Sequence, residues 1–169
     1  MKGPSGKNAR RRGQGASSSN QRYLWIALGV AAIVLFVGLL VIAARRPKLP
    51  KIGEHWHARY SVVICAQAHP QFPPTSGDVH THGDGVIHIH PQQPGTAGRN
   101  ATLGRFFESA GVKFSGDRIE FPDGKVYRNG DRCADGTAGK VRLQVNGKPS
   151  GAFERYVPQD GDTIVVQFR

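Results

Sequence analysis

Seven histidines, His55, His57, His69, His80, His82, His88 and His90, fall within 36 consecutive residues of a 169-residue chain, and no other position carries one. Six of them form three His-x-His pairs: His55-Trp56-His57, His80-Thr81-His82 and His88-Ile89-His90. In an extended strand, residues i and i+2 point to the same face, so each pair offers two ring nitrogens side by side. Neutral imidazole suits zinc, copper, nickel and iron. The chemistry implied is transition-metal coordination, with zinc or copper as the ion. His80, His82, His88 and His90 form the site, and His55 and His57 complete it from a neighbouring strand. Glu54, Asp78 and Asp84 are the nearby carboxylates able to ligate the ion, orient an imidazole or act as a base.

No nucleophile, oxyanion or phosphate-binding motif accompanies the cluster, and the spacing is not HExxH. No residue is therefore assigned a catalytic role, and metal binding, storage or delivery is favoured over catalysis. Two other readings use the same residues. In one, the histidines are a metal-free polar network or pH-responsive patch on a scaffold domain that contacts envelope proteins. In the other, the protein is a membrane-tethered metallohydrolase with Glu54 or Asp84 as its base.

A hairpin must position the central pairs. Gly83-Asp84-Gly85 is a strong turn signal between two short runs of strand-forming residues. With a three-residue loop, His80 lies opposite His88 and His82 opposite Val86, and both pairs share one face. A loop of even length would flip one strand and separate them.

Around the hairpin the pattern predicts an α+β domain with a mixed or antiparallel sheet and one short helix. Residues 54–66 read as a strand, with Tyr60, Val62 and Ile64 on one face and Val63 and Cys65 on the other. Residues 68–78, with Pro70, Pro73 and Pro74, read as a loop. A helix over 100–110 takes Asn100 or Thr102 near its N-cap, buries Leu103, Phe106 and Phe107, and stops at Gly111. The turns Asp123-Gly124, Asp135-Gly136 and Asn146-Gly147 then separate short β runs. The two cysteines, Cys65 and Cys133, are expected to form a structural disulfide. A metal-ligating alternative pairs the Cys65 thiol with His69.

Net charge is +11, from 23 Lys and Arg against 12 Asp and Glu. Residues 1–51 hold ten of the basic residues and no acidic one, so the rest of the chain is nearly neutral at +1. This excludes a clustered phosphate-binding face on the folded part, and no nucleic-acid partner is expected. Tyr23 to Ala44 is an uncharged apolar run of 22 residues, about 33 Å as a helix, long enough to cross a bilayer. Arg45 and Arg46 follow it where a signal peptide would be cleaved, so an uncleaved anchor is expected. The organisation predicted is a disordered basic cytoplasmic tail (1–22), a transmembrane helix (23–44), a linker (45–53) and an exported domain (54–169). The protein is placed in the cell membrane as a single-pass protein with its N-terminus inside.

The stretches His80 to Pro91 and Ala97 to Phe107 resemble a family of uncharacterised actinobacterial single-pass membrane proteins with an HxHGDGxIHIHP core and an AGxNATL segment. That resemblance implies an envelope location and carries no activity. The C-terminal part, with its Asp160-Gly161-Asp162 turn before a last strand, resembles the end of β-grasp (ubiquitin-like) domains. It implies a central final strand without the Gly-Gly terminus of conjugating carriers.

Overall fold

The computed structural model describes residues 17–44 and 47–169, with side chains over 21–40 and 47–169. The chain divides into two units, Met1–Arg46 and Pro47–Arg169. In the first, one apolar helix, α1 (Ser17–Ala44), contains a 20-residue stretch from Gln21 to Leu40 with mean hydropathy 2.5, its side chains unburied. The helix starts six residues before the apolar run, because nothing between Ser17 and Leu28 is Gly or Pro. Most of the expected basic tail, residues 1–16, lies outside the described residues, as do Arg45 and Arg46.

The second unit carries two sheets. Its elements in order are β1 (Trp56–Ile64), β2 (Gln67–Ala68), β3 (Val79–His80), β4 (Val86–Ile89), α2 (Leu103–Ser109), β5 (Lys113–Phe114), β6 (Arg118–Glu120), β7 (Val126–Arg128), β8 (Val141–Val145), β9 (Lys148–Ser150) and β10 (Thr163–Phe168). Short 3₁₀ turns occupy Gly98–Asn100 and Phe153–Arg155. The larger sheet runs β3-β4-β1-β10-β8-β9, with β2 folded back on β1. It is mixed: β1 and β10 are parallel and every other pair is antiparallel. The smaller sheet is β5-β6-β7.

Alternation builds the larger sheet. Ala58, Tyr60 and Val62 of β1, Ile87 and Ile89 of β4, Val141 and Leu143 of β8, and Ile164, Val166 and Phe168 of β10 are all buried on one face. Helix α2 covers that face with Leu103, Phe106 and Phe107, Phe106 lying edge-on to Tyr60 at 4.7 Å between ring centroids. Burying each such side chain stabilises the fold by roughly 1.5–3 kcal/mol. Thr102 is the N-cap, its hydroxyl accepting from Arg105 N–H at 3.3 Å, while Asn100 belongs to the preceding 3₁₀ turn. Gly111, at φ +70°, ends the helix as expected. Cys65 and Cys133 sit at disulfide distance with Cα atoms 5.6 Å apart, which removes the thiol from metal chemistry.

The end of the expected linker belongs to the folded unit. Pro50 is buried, its carbonyl accepts from Gly98 N–H at 2.7 Å, and Gly53 N–H donates to Pro91 O at 2.9 Å.

Candidate metal centre

One row of the larger sheet is made of histidines. His57 of β1 pairs with His88 of β4, and His88 pairs with His80 of β3, so three imidazoles stand abreast across adjacent strands. Just before β1, His55 meets His90, with ring centroids 3.5 Å apart. On the other side His82 stacks on His88 at 4.2 Å and 12°. All six rings of the three His-x-His pairs therefore gather on the face of the sheet opposite the core. His55, His57 and His82 are exposed; His80, His88 and His90 are partly buried.

The hairpin has the expected register. Gly83 and Gly85 take φ of +84° and +77°, conformations that favour glycine, and the loop between them is short enough to keep His80 opposite His88. The core face fixes the same register from behind. Val79, Thr81, Ile87 and Ile89 alternate with the histidines and are at most 4% exposed, so a one-residue slip would push imidazoles into the core. Thr81 is fully buried, and its hydroxyl accepts Gly83 N–H at 3.2 Å.

Of the three carboxylates, only Asp84 makes a hydrogen bond to the array. Its Oδ2 lies 3.1 Å from His88 Nε2 and its Oδ1 accepts Val86 N–H at 3.1 Å. Partial burial works to raise the Asp84 pKa, but these hydrogen bonds outweigh it and hold the carboxyl below its ordinary range. Asp78 and Glu54 are placed differently from expectation, because backbone donors reach them first. Asp78 Oδ2 accepts from the Thr96 hydroxyl and from Gln92 N–H at 2.9 Å, bonds that lower its pKa and tie down the loop after His90. Glu54 Oε2 accepts Lys51 N–H at 2.8 Å and closes a turn. His69 also stands apart, stacked on Phe121 at 4.5 Å and 8°.

One contributor was not legible in the sequence. Asp160 Oδ1 accepts His57 N–H at 2.9 Å, and Gly161 N–H donates to His57 O at 2.7 Å, so the turn before β10 grips the backbone of His57. That turn is itself held by the buried Asp162, which accepts from Gln159 N–H at 2.7 Å, Asn146 Nδ2 at 2.7 Å and the Tyr156 hydroxyl at 2.5 Å. The Asp160-Gly161-Asp162 turn is readable from composition; its contact with His57 is set by the long-range parallel pairing of β1 and β10.

The surroundings bias three rings of the array, His55, His80 and His90, towards the neutral form. The pKa of His80 is lowered mainly by burial and further by His82 and His88. His90 is lowered by burial first, then by His55 and His80. His55 is lowered by loss of water around its ring, then by His57 and His88, with Asp160 opposing. An imidazolium at any of these three positions would sit among other rings, so their neutral form is favoured.

Three features suit an ion. His80 Nε2 and His82 Nε2 are 2.9 Å apart, an N–H···N contact that requires at least one neutral ring. An ion bound at about 2.0–2.1 Å needs cis nitrogens separated by about 2.9 Å at right angles, or about 3.3 Å in a tetrahedron. His90 Nε2 is buried without a hydrogen-bond partner, a cost that a ligand would relieve. Finally, His55, His88 and His90 form one set of donors, and His82, Asp84 and His88 another, each with its atoms within 4.8 Å of one another.

The array lies on an open sheet face. A cleft of about 580 Å³ lies elsewhere, beside the disulfide and lined by residues including Ile64, His69, Phe121 and Tyr127. No family model, curated protein or solved structure matches the chain.

Proposed function

We propose that this chain is a membrane-anchored envelope protein whose exported domain binds a transition-metal ion, zinc or copper, through the six-histidine array. The observation that carries the reading is the register His57-His88-His80, extended by His55, His90 and His82, which gathers six imidazoles on one solvent-facing surface. Soft nitrogen donors with one carboxylate in reach suit these ions. The apolar helix supports a bilayer anchor, and a disulfide fits an oxidising compartment outside the cytoplasm. The positive flank of residues 1–22 supports an inside N-terminus. The strand order, with β1 and β10 parallel at the centre and α2 across the inner face, supports a β-grasp-like domain. The hydrolase alternative gains nothing from an array set on an open face, since catalysis needs a cleft around an open coordination position.

Metal analysis of the detergent-purified chain after incubation with zinc or copper tests this function. Stoichiometric metal that is lost in a His80→Ala/His88→Ala variant is expected. A wild-type chain that retains no metal, with titrations unchanged by the double substitution, would overturn the reading in favour of the scaffold alternative.

A further inference from the structure

The two donor sets share a residue. His88 belongs both to the all-imidazole set with His55 and His90 and to the set with His82 and Asp84. We propose that the array holds a single ion in two alternative seats hinged on His88, and that the ion passes between them by exchanging the other ligands while His88 stays bonded. This inference rests on the metal-binding reading above.

Charge and ligand number favour one ion over two. Among the described residues Asp84 is the one carboxylate hydrogen-bonded to an imidazole of the array, so two dipositive ions side by side would repel with little negative charge in direct contact to offset them. Filling both sets at once would also force His88 to use both ring nitrogens, stripping its remaining proton while Asp84 occupies the space beside Nε2. With one ion neither difficulty arises.

The seats differ in chemistry and in exposure, which gives the exchange a direction. The His82/Asp84 seat is the outer one: His82 is exposed, the Asp84 side chain is 44% exposed, and β3 is the edge strand of the sheet. The His55/His90 seat offers only nitrogen and includes the unpartnered, buried His90 Nε2. A zinc or copper ion is captured where water and a carboxylate meet it, and it rests where the donors are all imidazole. The stacked pair of His82 and His88, 4.2 Å apart, and the pair of His80 and His82 nitrogens, 2.9 Å apart, supply intermediate ligands along the way. Such a site releases its ion by the same steps, so it is built to hand the ion to a partner ligand.

Zinc titration of the full chain in detergent micelles, read by native mass spectrometry and calorimetry, tests the two-seat arrangement. The wild type is expected to bind one zinc. His55→Ala and Asp84→Asn each leave one seat intact and are expected to keep one zinc with affinity reduced about tenfold or less. The double variant removes a ligand from both seats and is expected to lose at least ten-thousandfold, far more than the roughly hundredfold to which two independent tenfold losses multiply. Both positions are exposed, and Asn preserves the hydrogen bonds of the turn, so the double variant folds; circular dichroism checks that it does. Two ions on the wild type, abolition of binding by either single substitution, or additive losses in the double variant would each overturn the shared-seat arrangement while leaving metal binding in place. A wild type without zinc removes the metal-binding reading itself.

Discussion

Inserting one glycine between Gly83 and Asp84 tests what holds the six imidazoles on one face. The longer loop has even length, and turn geometry alone would flip β4 relative to β3. The core argues otherwise. A flip would bring Ile87 and Ile89, both fully buried, into water at about 1.5–3 kcal/mol each. It would also drive His88 and His90 into the apolar interior with unpaired nitrogens, at about 1–3 kcal/mol each. The total, roughly 5–12 kcal/mol, is comparable to the whole stability of a domain this size. Absorbing the extra residue in the loop costs only a few tenths of a kcal/mol of closure entropy, plus up to about 1 kcal/mol for the disturbed glycine turn. The loop is therefore expected to bulge and the register to hold. Urea unfolding should show a loss of about 1 kcal/mol, and zinc should still raise the thermal midpoint through His55, His88 and His90. A loss above about 5 kcal/mol, or a folded variant that no longer responds to zinc, would show that the turn and not the buried face sets the register.

Three further outcomes are expected. Replacing both cysteines by serine opens a loop of 68 residues and should cost about 4 kcal/mol, lowering the midpoint by about 15 °C in calorimetry. For the metal-free protein, His55, His80 and His90 have pKa values below the ordinary 6.5, so as pH falls through that value the unfolded chain takes up protons that the folded one refuses. Stability is thus fully present above about pH 7 and declines towards pH 5, measurable as a falling urea midpoint; a midpoint that rises on acidification would contradict the neutral array. Gly139→Ala should destabilise by about 1–3 kcal/mol or more, because its Cβ would come within 2.2 Å of the Phe168 ring, which is fully buried; an unchanged urea midpoint would refute that packing.

The legible part of the site is the part carried by short-range periodicity. Alternation in Val86-Ile87-His88-Ile89-His90 states which side chains face outward, and Gly83-Asp84-Gly85 states the register, so the pairing of His80 with His88 follows from a dozen residues. That β1 would lie beside β4, placing His57 against His88, is consistent with the three His-x-His pairs but depends on the loop over 69–78 bringing the strands together. Asp160 was hidden because its neighbour is 103 residues away, across a parallel pairing that no local pattern encodes. The carboxylates misled for a different reason. Proximity in sequence placed Glu54 and Asp78 near imidazoles, but Glu54 satisfies the backbone N–H of Lys51 three residues away, and Asp78 takes donors from the loop after His90, Gln92 N–H and the Thr96 hydroxyl, which no local pattern indicates. Of the second sheet, β6 and β7 lie within the short β runs expected beside the Asp123-Gly124 turn, whereas β5 spans two residues, too few for a period to register.

The placement of the array on the sheet also bears on which ions it takes. The inner face supplies the stability with apolar residues, so the outer face can hold polar rings, two of whose buried nitrogens, His80 Nδ1 and His90 Nε2, lack a partner, without compromising the fold. Burial and then crowding by the neighbouring rings raise the cost of protonating His80 and His90, which keeps their lone pairs available at neutral pH. The same crowding leaves room for little oxygen. Calcium requires about six to eight oxygen ligands and magnesium a near-octahedral set, and here a single carboxylate, Asp84, reaches the rings by a hydrogen bond. On the proposed function, a nitrogen-rich, oxygen-poor face would discriminate against hard cations such as calcium and magnesium before any finer geometry is considered, in keeping with zinc or copper as the proposed ion.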